Sequence, residues 1–135
     1  MYDNVIDKDI FPSFVCSCVP QIDMMSQLLE AYDIRQAYPS ENMSNEGGYH
    51  SPIFTKEKFF LLRDVVEDFT NDLLYQKSLG GKVAKIEYWC NINKLYNYNV
   101  MHMHGRADLI GIYYIQTATN SGDFVVMRND GSQYS

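Results

Sequence analysis

Residues 77–93 read KSLGGKVAKIEYWCNIN, and the spacing of the apolar side chains changes inside them. Upstream, in KEKFFLLRDVVEDFTNDLLYQKSL (56–79), Phe59, Leu62, Val66, Phe69 and Leu73 recur at intervals of three and four, the period of one helical face. Downstream of Gly81 the interval is two. Ala84, Ile86, Tyr88, Cys90 and Ile92 fall on one side of an extended chain, and Lys85, Glu87, Trp89 and Asn91 on the other. Gly80 and Gly81 therefore separate a helix from a half-buried strand, with Thr55 the expected N-cap and the two glycines the stop. The acidic opposite face of the helix (Arg63, Asp64, Glu67, Asp68, Asp72) reads as solvated surface.

On the N-terminal side, IFPSFVCSCVP (10–20) reads as a short strand ended by Pro20, which has no amide proton for a ladder. From Ile22 to about Tyr32 a first helix is expected, with Ile22, Met25, Leu28, Leu29 and Tyr32 on its inward face. The segment YPSENMSNEGGYHSPIF (38–54) is polar and rich in turn formers, and reads as an ordered loop crossing the surface. On the C-terminal side, DLIGIYYIQ (108–116) and GDFVVM (122–127) read as further strands, the second approached through the turn TNSG. Helices come first and strands second, an α+β order, in a single domain: a mainly helical part, 1–81, and a β part, 82–135.

Composition narrows the function classes. The 135 residues are 46% hydrophobic and 21% charged, the balance of a chain able to bury a core. Seventeen acidic against eleven basic residues give a net charge of −6, which disfavours nucleic acid and anionic bilayers as partners. No apolar run approaches the ~18 residues of a spanning helix, and the N-terminus lacks the pattern of a secretory leader. Cys16, Cys18 and Cys90 form an odd set without a Cys-x-x-Cys pair, so free thiols in the cytoplasm are expected.

The chemistry concentrates in MHMHGRAD (101–108). On an extended chain, residues i and i+2 project from the same side, so His102 and His104 can approach one ion. Imidazole nitrogens with a carboxylate form the two-histidine facial site of non-haem iron oxygenases, and Asp108 is the nearest carboxylate. A His-x-His pair has little information by itself and equally describes two solvated side chains on a loop. Tyr96, Tyr98, Tyr113 and Tyr114 are candidate pocket phenols or packing residues, and Arg106 a candidate partner for a carboxylate ligand. Cys90 has no mate at zinc-ligand spacing and reads as a small buried residue. No phosphate-binding glycine loop and no serine-hydrolase elbow occurs.

Taken together, the separated segments resemble the 2-oxoglutarate/Fe(II)-dependent oxygenases of marine phages and bacteria, a prolyl-hydroxylase-like family. The resemblance rests on the glycine loop Ser44 to Ser51, Trp89 with Asn91, and Tyr98 ahead of His102 and His104. It continues through Gly111 with Tyr113 and Tyr114, and Ser121 with Gly122. It implies a double-stranded β-helix, or jelly roll, carrying the N-terminal helices. It also implies hydroxylation coupled to oxidative decarboxylation of 2-oxoglutarate at Fe(II). By the same resemblance His102 is the first iron ligand, and His104 stands where relatives carry an aspartate. That substitution leaves three options open: a three-histidine site, a site using Asp108, or a site in which His104 is not a ligand. Tyr98 and Tyr114 are the residues suggested for the co-substrate 2-oxoglutarate, and host cytoplasm is the compartment if the chain is phage-encoded.

The family continues with a strand bearing a distal histidine and then an arginine for 2-oxoglutarate, whereas this sequence reaches MRNDGSQYS (127–135) without either. Eight strands need roughly 64–96 residues at ~8–12 each, more than lie between Lys82 and Ser135. The expectation is a C-terminally incomplete domain, with an open sheet edge that invites a homodimer. His50, in the glycine loop, is not expected to be a ligand. Two other readings are a cupin-like metal-binding protein using Asp108 and a non-catalytic assembly protein on the same fold.

Overall fold

In a computed structural model of the protein, residues 1–10, 13–128, 131 and 133–135 are described. They form two compact units, residues 22–115 and residues 1–21 with 116–135. The mixture of two helices and antiparallel strands is α+β, as the change of period predicts.

In the larger unit, α1 (Met24–Ala37) starts at Asp23, whose carboxylate accepts the Ser26 amide at 2.7 Å. This is an ordinary N-cap. The buried face of α1, however, is Gln27, Ala31 and Ile34. Met25, Leu29 and Tyr32, expected inward, are 56%, 59% and 58% exposed. The helix is apolar on two sides, so periodicity alone does not choose between them. The choice is made by the residues that α1 meets: Ala31 and Ile34 join Tyr49, Phe54, Phe59 and Cys90 in one core cluster, with Tyr38, Leu62, Tyr88, Ile92 and Ile115 at its margin.

Helix α2 (Phe60–Gln76) buries Leu73 and half-buries Leu62, Val66 and Phe69 of the expected face, and also buries Val65, which the spacing leaves off it. Its start differs from the expectation at Thr55. Phe59 precedes the helix in a left-handed conformation (φ 51°) with no side-chain cap of its own. Its amide donates instead to the Glu30 carboxylate of α1 at 2.7 Å. A distant acid thus occupies the positive end of α2. Glu30→Ala is expected to lower stability by about 1 kcal/mol, the usual value of a cap, read from urea midpoints. Glu30→Gln should recover most of it. At its other end α2 stops at Lys77, three residues before Gly80 and Gly81.

The segment expected to cross the surface as an ordered loop is exposed over most of its first half, but its second half enters the core. Within it, β3 (Asn45–Glu46) and β4 (Tyr49–His50) flank Gly47 and Gly48, and Tyr49, His50 and Ser51 are buried. Strand β4 pairs with β5 (Asn91–Ile92), and β3 with β6 (Tyr98–Asn99). Gly47 has φ +74°, and a Cβ on Gly48 would stand 2.0 Å from the Asn93 side-chain oxygen. Glycine is favoured at Gly47 by its left-handed backbone, and at Gly48 a side chain would displace that of Asn93.

Over 86–92 Ile86, Tyr88, Cys90 and Ile92 are half-buried or buried and Glu87 and Asn91 exposed, as expected, but the outward Trp89 is half-buried too and Ala84, expected inward, is exposed. Pairing is sparse. Phe54 and Tyr88 form an isolated bridge, and Ser51 binds Cys90 through its amide (3.0 Å) and its hydroxyl oxygen (2.9 Å). Residues 108–116, expected as a strand, make no ladder among the described residues.

In the smaller unit, β1 (Tyr2–Ile10) and β2 (Ser13–Pro20) form an antiparallel hairpin with a register shift between Asp3 and Ile6. The strand expected from Ile10 to Pro20 is the second half of this hairpin, and Phe11 and Pro12 lie outside the described residues. Only Val126–Met127 of the strand expected at 122–127 forms one, β7, paired with β8 (Gln133–Tyr134). All ladders among the described residues are two-stranded. No helix among them is long and apolar enough to cross a membrane.

Candidate metal centre

The glycine loop positions the candidate site by holding two chain segments at once. Its first half pairs with the strand that leads to the histidines: Asn45 opposes Asn99, Glu46 opposes Tyr98, and the Val100 amide donates to the Ser44 carbonyl at 2.8 Å. Its second half pairs with the strand that follows Trp89, His50 opposing Asn91. Trp89, two residues before Asn91 and on the same face, is then a diagonal neighbour of His50. The ladder brings His50, Trp89, His102 and His104 into one group of rings.

His102 and His104 lie with ring centroids 4.7 Å apart and planes at 65°. The Nδ1 of His102 is 2.7 Å from the Val100 carbonyl oxygen. A carbonyl can only accept, so Nδ1 is the donor in this bond, and Nε2 is the ring nitrogen left open to a ligand. Metal-ligating histidines are commonly held in this way, by a carbonyl at the other nitrogen. His104 stacks on Trp89 at 5.6 Å and 24°, and Trp89 stacks on His50 at 5.4 Å and 18°. His50 is 2% exposed, and its Nδ1 donates to the Ser51 carbonyl at 2.7 Å.

The two imidazoles suit a divalent cation that accepts nitrogen ligands and retains open positions. They are two donors. Among the described residues no group of three His, Cys, Asp or Glu side chains is arranged to hold a metal ion, so Asp108, which is exposed, does not complete the set with them. Tyr98 lies on β6 and Tyr114 on the unpaired segment, both largely exposed; Arg106 is exposed as well. Tyr113 is half-buried, and burial raises its phenol above the ordinary range.

Trp89 and His50 were not predicted as part of the site. A tryptophan among Lys85, Glu87 and Asn91 on the outer face of a strand is a signal that something covers it. What covers it depends on the β4–β5 register, which residue spacing does not contain.

Cys90 is buried in the core cluster, and burial pushes its thiol up from 9.0 to about 11. Between those values the unfolded thiol ionises while the folded one stays protonated. Its contribution is complete below pH 9 and is lost as pH rises through 11. Denaturation midpoints in reducing buffer should fall over this interval by an increment worth about 2–3 kcal/mol at most, and Cys90→Ala should remove that increment.

No family model, no curated protein and no solved structure matches this chain.

Proposed function

We propose that the chain is a non-haem Fe(II)/2-oxoglutarate-dependent dioxygenase domain that hydroxylates a substrate, with Fe(II) held by His102 and His104. The observation that carries this reading is the paired imidazoles, 4.7 Å apart, one of them fixed by the Val100 carbonyl with Nε2 presented. The motif string from Ser44 to Gly122 supports it, because its glycine loop is the element that tethers the histidine segment. The finer fold assigned is part of a double-stranded β-helix, in keeping with the antiparallel ladders and the alternation over 86–92. Three cysteines without a Cys-x-x-Cys pair suit a reducing cytoplasm.

In this reading the metal ion supplies Lewis acidity and redox capacity when bound. The protein's own residues do the rest. The Val100 carbonyl holds the Nδ1 side of the His102 ring, so Nε2 is the nitrogen left to face a ligand. Tyr98 and Tyr114, both exposed, are the hydroxyl donors assigned to 2-oxoglutarate.

The test is calorimetric titration with Mn(II), as an inert stand-in for Fe(II), with and without 2-oxoglutarate. Saturable binding near one ion per chain, tightened by 2-oxoglutarate, is expected. Binding indifferent to 2-oxoglutarate would favour the cupin-like reading. No uptake at millimolar Mn(II) would remove the metal-enzyme reading.

A second reading, a non-catalytic assembly protein, is favoured by one observation. In the unpaired stretch 108–115, Tyr113 and Ile115 are half-buried while Ile110, Ile112 and Tyr114 are exposed at alternate positions. An extended apolar face with an unsatisfied edge is a template for another strand. Stable metal-free dimers in sedimentation equilibrium would support it, and a monodisperse monomer would count against it.

A further inference from the structure

We infer that Trp89 and His50 are positioning residues for the histidine pair: the rings of His50, Trp89 and His104 form a stack that leads from the buried core to His102 and sets the plane of the His104 imidazole. The inference rests on the metal-site reading above and adds to it how the second ligand is held.

The anchoring end is buried and hydrogen-bonded. His50 is buried, its Nδ1 donates to the Ser51 carbonyl, and Ser51 is wholly buried. Ser51 is tied to Cys90 by two hydrogen bonds, and its hydroxyl donates to the Pro52 carbonyl at 2.8 Å. Trp89 lies on this base at 5.4 Å, and the next ring, His104, lies on Trp89 at 5.6 Å.

The two candidate ligands are held by different means. His102 is oriented by a hydrogen bond to the Val100 carbonyl. Among the described residues no hydrogen bond reaches the His104 imidazole; His102 meets it edge-on, and the indole is the ring that lies flat along its plane. A flat ring against a flat ring removes side-chain freedom without using either nitrogen, and both stay available to a ligand. Removing a partner that orients a metal ligand typically weakens metal affinity by 10–100-fold. A stacked partner acts on orientation alone, which places the expected loss at the lower end, about tenfold.

Trp89 is the one tryptophan of the chain, so its emission reports on the stack directly. The experiment titrates the full chain with Co(II) at neutral pH while following Trp89 fluorescence, and records the histidine ring protons by NMR. In the wild type, Co(II) should quench Trp89 emission in step with occupancy, and the His104 ring protons should be shifted upfield by the indole ring current. Trp89→Leu should abolish that shift and weaken Co(II) about tenfold, and Trp89→Phe should restore most of both. His102→Ala should lose Co(II) and keep the upfield shift.

Trp89→Leu binding Co(II) as tightly as the wild type would overturn the positioning role while leaving the metal site standing. So would unquenched emission at saturating Co(II), a result that needs no variant to fold. A wild type that takes up no Co(II), with the upfield shift in place, would instead overturn the metal site, and the positioning role with it.

Discussion

His102→Ala is expected to raise the dissociation constant for Mn(II) by more than about 100-fold while leaving the thermal midpoint almost unchanged. The first part follows from the donor set. Two imidazoles are brought together, and only His102 has its ring nitrogen fixed by a backbone carbonyl, Val100 O at 2.7 Å. Loss of an orienting partner alone costs 10–100-fold in affinity, and loss of the ligand itself costs more. The second part follows from exposure: the His102 side chain faces solvent, and surface substitutions usually change stability by less than about 0.5 kcal/mol. Calorimetric titration beside a melting curve separates the two effects. An unchanged Mn(II) affinity would show that His102 is no ligand, and a collapsed melting curve would show that its role is structural.

Phe54→Ala should cost about 3–5 kcal/mol, the range for deleting a buried aromatic. Phe54 is buried in the cluster that joins α1, the glycine loop and the Cys90 strand. Its ring meets Tyr38 edge-on at 5.5 Å and Tyr88 at 6.2 Å. Its backbone exchanges both hydrogen bonds with Tyr88, at 2.8 and 3.0 Å. Deleting the ring opens a cavity where three elements converge, and a domain of this size has only about 5–15 kcal/mol in total. Phe54→Leu, closer in volume, should cost less than about 1.5 kcal/mol. Urea titrations of the two variants measure the difference. Equal midpoints would show that the cluster does not carry the fold.

These two predictions concern different layers of one arrangement. The cluster around Phe54 holds the glycine loop against the Cys90 strand, and the loop holds the Trp89 and histidine segments by its two short ladders. A core substitution is therefore expected to weaken metal uptake indirectly, through unfolding. His102→Ala should abolish it in a folded protein, and comparison at matched folded fraction distinguishes them.

What the amino-acid sequence determined by itself was local. The spacing of Phe59, Leu62, Val66, Phe69 and Leu73 specified α2 and most of its inward face, leaving out Val65, and the alternation specified an extended chain that buries Ile86, Tyr88, Cys90 and Ile92 wholly or in part. Both are properties of a chain and its period, and need no partner to be read. Tertiary structure decided which of two apolar faces of α1 turns inward, because that depends on the shape presented by Tyr49, Phe54 and Phe59. It decided that Glu30, on another helix, supplies the cap that Thr55 was expected to give. It also decided that the end of the glycine loop, Tyr49 to Ser51, is buried and that His50 and Trp89 join the histidine pair. Each of these turns on a contact between residues far apart in the chain, whose register is set by packing and cannot be read from spacing along a single segment.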